Sequence, residues 1–498
     1  MKKHVKMQYI VLLFLIIVSN SCSNYLDLNP DNSLVDDEFW KTKEQVNSAV
    51  ASIYTSMNSS AYIERVIMWG ELRAEMMKPS TNASSTQIKM YYNNNLSSSA
   101  WSNWSYFYKT INYCNTVLEK SGDAQKEDPM FTETLLLQYQ AEALTLRALN
   151  YFILVKNFKE VPLITTATID DNTNFYVEKE TENNVLKQII SDLTTAIPNL
   201  PTSYSTSDAY DKGRITKGAA LAILSDVYLW CNRFDDCIKS CTSIENIVDS
   251  TTMLPKYQLV DGDNWFNDVF YTGNSSEGIF ELQFYSKNSA LSDFFYVDSH
   301  DFCPYEYIES EVFGEDLVDK RGNNATYSTY SNAFQTFKFA GKNSSSGAYR
   351  SSSQFYNNWP FYRFSEVLLM KAEAYLLSSD KQNLDSCYTL INEVHVRSGL
   401  SNLESSMLES DLETALLAER AKELAFEGKR WYDLLRFARR NNFSNQSLIT
   451  NLVDLKSESD DLEEITSYYS DTSSYWLPIY DDEISVNPNL VQNPYYDE

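Results

Sequence analysis

Apolar residues recur along most of this chain at alternating steps of three and four. Val46, Val50, Ile53 and Met57 open the pattern, which marks one buried face of an amphipathic helix. Similar stripes predict helices within 100–120 (Trp104, Tyr108, Ile111, Leu118), 132–157, 184–197, 217–247, 361–378, 384–398 and 411–440. The clearest is "ALLAERAKELAFEGKRWYDLLRFARR" at 415–440, where Leu417, Ala421, Leu424, Gly428, Trp431, Leu435 and Ala438 form one seam. Gly428 in that seam predicts a close backbone approach by a neighbouring segment. Between 248 and 360 the helical period fades and Gly, Ser, Asn and aromatic residues dominate, predicting irregular loops with short strands. A second polar loop, 79–99, carries "TNASSTQIKMYYNNN".

"AALAILSDVYLWCNRFDDCIKSC" (219–241) and "SEVLLMKAEAYLLSSDKQNLDSCYTLI" (365–391) share one plan: a helix with small residues and a Tyr, a turn, then a second helix with a Cys. "AEALTLRALNYFILVKNF" (141–158) looks like a further first helix. Helix hairpins of this kind are similar to tetratricopeptide repeats. Gly (13) and Pro (12) are scarce for 498 residues, which fits long helices.

The N-terminus follows a different rule. Lys2, Lys3 and Lys6 precede an unbroken apolar run at 9–18, and small residues Ser19 and Ser21 lead into Cys22. Ten residues rise about 15 Å as a helix, half of a bilayer core, so 1–21 reads as a signal peptide. A cysteine at the cleavage point resembles a bacterial lipobox, in which the thiol is acylated and becomes the new N-terminus; Ser19 stands where leucine is usual. Ordinary secretion, with Cys22 a spectator, is the alternative.

Formal charge is −27, or −30 once the three leader lysines are gone. Such a field repels phosphate backbones and excludes nucleic acid as a partner. Only His300 and His395 follow the leader, which leaves little room for histidine-based catalysis or a histidine metal site. Cys231, Cys237 and Cys241 sit at helical spacing, where small buried thiols are the expected reading and a soft-metal site the alternative. Glu423 and Glu427 each lie within a turn of Arg420 or Arg430. Arginine neighbours depress a carboxyl pKa, the opposite of what a proton donor needs, so Arg420, Glu423, Glu427 and Arg430 read as a structural charge ladder.

The 415–440 segment resembles the C-terminal signature of the SusD/RagB family, surface glycan-binding lipoproteins of Bacteroidetes. The likeness extends to "FYRFSEVLLMKAEAYL", "INEVHVRSGL", "LPIYDDEISVNPNLVQNPYY", "RITKGAALAILSDVYL" and the opening "YLDLNP…DDEFWKTKEQVNSAVASIYTSM". It departs at "NFKEVPL", which lacks the usual glycine, and at His395, where arginine is common. The resemblance implies a mostly α fold, a tetratricopeptide-like scaffold with an irregular ligand-binding half. Its expected layout is a leader (1–21), a helical region (22–250) and a second region (251–498) that is loop-rich over 251–360, helical over 361–440 and a tail over 441–498, all in one compact unit. It further implies a SusC-like TonB-dependent transporter as partner, a lipid anchor at Cys22 on the outer membrane, and no catalytic residues. Calcium occurs in some relatives, but no loop here has calcium-ligand spacing.

Burying one face of a sugar, about 60 Å² at about 25 cal/mol per Å², gives only about 1.5 kcal/mol. Millimolar affinity already needs roughly 4 kcal/mol. A glycan site therefore needs several aromatic platforms with polar neighbours. Stretches 79–104 and 264–360 supply that mixture, and Tyr91, Tyr92, Trp265, Tyr296 and Trp359 are the expected platforms. The rival reading is capture of peptides, as the RagB type implies, through strand pairing. An enzyme would require two carboxyls facing each other across a cleft at about 5–9 Å.

Overall fold

The computed structural model describes residues 39–497 apart from 169–173, 205–206, 315–317, 331–332, 343–346, 380–382, 405–406 and 457–460. The expected leader and Cys22 lie outside the described residues. Helices carry the chain: α1 (Lys43–Met57), α2 (Ser60–Ile67), α3 (Ser85–Tyr91), α4 (Ser105–Glu127), α5 (Glu133–Phe158), α6 (Glu182–Ala196), α7 (Asp208–Gly213), α8 (Lys217–Trp230) and α9 (Phe234–Glu245). The second half adds α10 (Ser289–Phe295), α11 (Phe364–Leu377), α12 (Leu384–Arg397), α13 (Glu409–Glu423) and α14 (Arg430–Phe443), with short helical turns after it. The described strands form antiparallel pairs: β1 (Met77–Pro79) with β5 (Phe302–Pro304), β2 (Val161–Pro162) with β3 (Lys179–Glu180), β4 (Gly278–Leu282) with β8 (Trp359–Arg363), and β6 (Tyr327–Tyr330) with β7 (Ala333–Thr336).

Each α1 stripe residue predicted from the sequence is fully buried, and Thr42 starts the helix with a capping box to Gln45. Helix α8 packs on α9 and α11 on α12, the two pairs that the sequence repeat marks, and α9 also packs on α11. One hydrophobic core runs from Trp40 to Leu490, taking in α1 and both helix pairs.

The 411–440 stripe departs from expectation. It is not one helix: α13 ends at Glu423 and α14 begins at Arg430. Between them Phe426 and Gly428 take positive φ, +66° and +70°, which turns the chain while Leu424 stays buried. The turn is clamped by a π-turn, Met68–Leu72, that continues α2. Glu71 accepts the N–H groups of Phe426 (3.1 Å) and Gly428 (3.0 Å). A Cβ on Gly70 would lie 2.0 Å from the Gly428 carbonyl oxygen, so only glycine fits there. Gly70→Ala is accordingly expected to cost about 2 kcal/mol through overpacking against backbone. An unchanged thermal midpoint would show that the turn can move aside.

The expected charge ladder is structural, but its members are buried and their partners come from other elements. Arg363, at the junction of β8 and α11, bonds Glu277, Glu423 and Glu427. Arg397 adds bonds to Glu423 (2.6 Å) and Glu277 (3.0 Å), and Arg321 to Glu423 (2.9 Å), Glu419 and Asp319. Lys338 donates to Glu427 at 2.9 Å, and His395 pairs with Glu419 at 2.8 Å. Arg420 reaches Asp433 at 2.7 Å, and Arg430 reaches Glu75 at 2.6 Å. Burial pushes the Glu423 carboxyl up, but Arg397, Arg363 and Arg321 outweigh it and hold the group well below the usual range. The network bolts the loop-rich half to α12, α13 and the turn that follows.

Candidate functional site

Strand β1 brings the two aromatic, polar stretches together. It pairs with β5 in the register Met77↔Pro304, Lys78↔Cys303, Pro79↔Phe302. Beyond the strands, Ser80 N–H donates to the Asp301 carbonyl (2.7 Å) and its hydroxyl to the His300 carbonyl (2.6 Å). Ser84 caps α3 in a capping box with Gln87, and the same Gln87 side chain donates to the Asp301 carboxylate at 2.8 Å. One residue thus starts the helix and ties it to the opposite loop. Asn288 caps α10, which delivers Tyr296, Asp298 and His300 to this junction.

The junction presents half-buried rings among short polar side chains. Tyr92 ends α3 with its N–H on the Ile88 carbonyl (3.2 Å), its ring edge-on to Tyr91 at 4.9 Å. Tyr296 ends α10; its hydroxyl donates to Asp298 (2.8 Å) and its ring stands against Phe355 at 5.9 Å. Tyr305, also half-buried, lies 5.2 Å from Tyr307 and 5.5 Å from the Lys78 ammonium. Lys78 itself is paired with Glu306. Burial draws His300 below its ordinary value, which favours the neutral ring. Burial pushes Asp301 up, partly countered by Gln87. The surface offers hydrogen bonds more than charge.

Three of the five expected platforms are buried. Trp265 is fully buried; its Nε1–H donates to Glu423 (3.3 Å) and its ring covers Lys338 at 4.9 Å. It seals the ion network. Trp359 is 1% exposed and stacks on Phe339 at 5.4 Å. Tyr91 is 3% exposed, with the Lys456 ammonium 4.4 Å from its ring. None has an open face for a ligand, and this corrects the expectation for Tyr91, Trp265 and Trp359. The structure leaves Tyr92 and Tyr296 at the surface and adds Tyr305. The asparagines after Tyr92 also turn inward: Asn93 is fully buried, at φ +61°, and donates to the Tyr468 carbonyl at 2.9 Å. Trp101 bonds Thr86 (3.2 Å) beside Arg65, whereas Trp104 packs on Phe158 and Tyr108. Cys237 and Cys241 are buried free thiols in the core.

Known proteins share this sequence pattern along its length. A family described as "SusD family" matches residues 252–496, and one described as "Starch-binding associating with outer membrane" matches 24–229. The chain belongs to the SusD family. Among curated relatives, SusD-like protein P38 of Formosa agariphila is 26% identical over 482 residues, covering 86% of this chain and 92% of its own. SusD-like protein P2 of the same organism is 23% identical and is covered over 99% of both chains. A solved SusD superfamily protein from Bacteroides vulgatus superposes with TM-score 0.74 at 22% identity, over 92% of this chain and 99% of that one. A Bacteroides thetaiotaomicron member gives 0.72 at 22% identity over 91% and 100%. The mostly helical fold expected from the sequence is therefore the SusD fold, and this SusD-family chain spans nearly the full length of those relatives.

Proposed function

We propose that the protein captures oligosaccharide or polysaccharide at the outer surface of the outer membrane and hands it, unaltered, to a SusC-like TonB-dependent transporter. The carrying observation is the β1–β5 junction, which joins the stretches bearing the half-buried Tyr92, Tyr296 and Tyr305 to those bearing Ser80, Asn82, Asp298 and His300. Half-buried rings give sugar C–H faces a platform, and short polar groups match the hydroxyl rim. The family's description as starch-binding and associating with the outer membrane supports this reading. Acylation of Cys22 provides the anchor; three chains at about 0.8 kcal/mol per buried methylene make it effectively permanent. Binding without chemistry agrees with the carboxylates Glu423 and Glu427, which are buried and held below the usual carboxylate range by arginines and, for Glu427, Lys338 as well, instead of poised as acids.

Tyr92→Ala with Tyr296→Ala is expected to weaken binding about tenfold, read by affinity electrophoresis on a panel of neutral polysaccharides. Both side chains are only half-buried, so the variant stays folded, and unchanged migration on every gel that retards the parent rejects the junction as the site. Capture of peptides instead would appear as calorimetric heats with oligopeptides and none with oligosaccharides.

A further inference from the structure

A second cleft lies away from the β1–β5 junction, between α1, α7 and the end of β4. Its cavity measures about 280 Å³, close to the lower end of ligand pockets at ~300 Å³. Two aromatic rings stand at it. Tyr285 is 88% exposed and Tyr210 39% exposed. Amides complete the wall: Asn47 from α1, Asn58 at its end, and Gln283 just beyond β4.

The wall is rigid and electrically balanced. Arg214 grips Glu142 with two bonds, 2.7 and 2.9 Å, and donates to Asn47 at 3.1 Å. The Tyr54 hydroxyl donates to Glu142 (2.8 Å) and accepts the Ile215 N–H (2.9 Å). The guanidinium also lies 5.2 Å from the Tyr210 ring, whose hydroxyl it bonds, and Tyr204 braces that ring edge-on at 5.4 Å. Gln283 and Asn274 hold each other through reciprocal amide bonds of 2.9 and 3.1 Å. Asn58 donates its amide to the Gln283 carbonyl (3.1 Å) while its side-chain oxygen, buried in the wall, has no partner among the described residues.

Because the Arg214 cation in the wall is spent on Glu142, the lining leaves no charge to offer an anion. Pairing an extended peptide along β4 is obstructed where Asn58 already engages Gln283. Rings with amides and no net charge match a neutral polyhydroxylated ligand. We propose that this cleft is a second saccharide site, in which Tyr285 and Tyr210 hold one sugar ring of a neutral glycan, while the Asn47 amide N–H and the remaining lone pair of Gln283 Oε1 meet its hydroxyls. It rests on the glycan-binding reading above and adds a separate foothold for the same polymer, which raises avidity when one chain reaches both sites.

The test is hydrogen–deuterium exchange of the whole protein with malto-, cello-, xylo-, laminari- and manno-hexasaccharides, beside calorimetry with the parent polysaccharides. The expected result is slowed exchange at 208–214 and 282–286, abolished by Tyr285→Ala with Tyr210→Ala, and about tenfold weaker polysaccharide binding. Slowing at 79–92 and 294–301 should survive in that variant. Slowing at the junction alone overturns this proposal and leaves the first site standing. Slowing at the cleft alone upholds it and sinks the junction. No slowing at either place with any probe rejects both.

Discussion

Replacing Arg363 by methionine is expected to cost the protein at least about 4 kcal/mol, more than the loss of any other side chain in the ion network. Arg363 is 1% exposed and touches Glu277, Glu423 and Glu427 together, besides the Glu423 carbonyl. Methionine preserves much of the volume, so the cost is electrostatic: three carboxylates stay buried, each short of one cation partner, with Arg397, Arg321 and Lys338 left to hold them. Lysine is not a substitute. The site uses Nε and both terminal nitrogens of a planar fork, Nε and one terminal nitrogen of which bond Glu427 at 2.9 Å each, and an ammonium cannot span those directions. Global stability of ordinary domains is about 5–15 kcal/mol, so Arg363→Met is expected in low yield; Arg397→Met, which removes two contacts at the network's edge, is the graded companion, expected at about half the cost. Urea midpoints read both. A surface control, Arg233→Ala, breaks an exposed pair with Asp236 and should cost under about 1 kcal/mol. If Arg363→Met unfolds at the same urea concentration as that control, the network is ornamental.

Why the sequence shows so much of the fold and so little of the site follows from what periodicity can report. Burial on a helix is a local rhythm, and Val46, Val50, Ile53 and Met57 keep it without help from distant residues. The same rhythm runs through Leu424 and Trp431, both buried, and hides the break between α13 and α14. Periodicity records which residues face inward; it does not record that Phe426 and Gly428 turn the backbone to positive φ. Polar surroundings mislead in the opposite direction. Trp265 sits in "DGDNWFND", which reads as an exposed ring in a loop, yet it is sealed because Glu423, 158 residues later, waits beneath it. Asn93 looks like surface and instead spends its amide on the tail around Tyr468 and Ser474. The pairing of β1 with β5 spans more than two hundred residues, so the meeting of two legible stretches was itself illegible.

Stability should also fall as the pH rises from about 5 to 8, and Glu71 is the cause. Burial raises its carboxyl from the ordinary value to about 8, against the pull of the Phe426 and Gly428 N–H groups. A raised acid keeps a proton in the folded protein that the unfolded chain releases above about 4.3. The folded state therefore binds more protons across that window, and stability drops by about 1.4 kcal/mol per pH unit, on the order of 4 kcal/mol in all. His300, drawn below its ordinary value by burial, works the other way near pH 6.5, so the informative quantity is the difference between the parent and Glu71→Gln. Glutamine cannot titrate, and it presents an amide donor to one of two backbone donors, a mismatch worth about 2 kcal/mol. The variant should thus be clearly weaker at pH 5, and by pH 8 its deficit should vanish or reverse. Below pH 4 the two curves should fall together, because Asp433, held at about 2 when Arg420 and Arg436 overcome the effect of burial, loses its stabilising charge as pH drops from its unfolded value of about 3.9 through the folded one. Parallel curves from pH 5 to 8 would mean that Glu71 is ionised in the folded protein, and that its two N–H partners outweigh the loss of water around it.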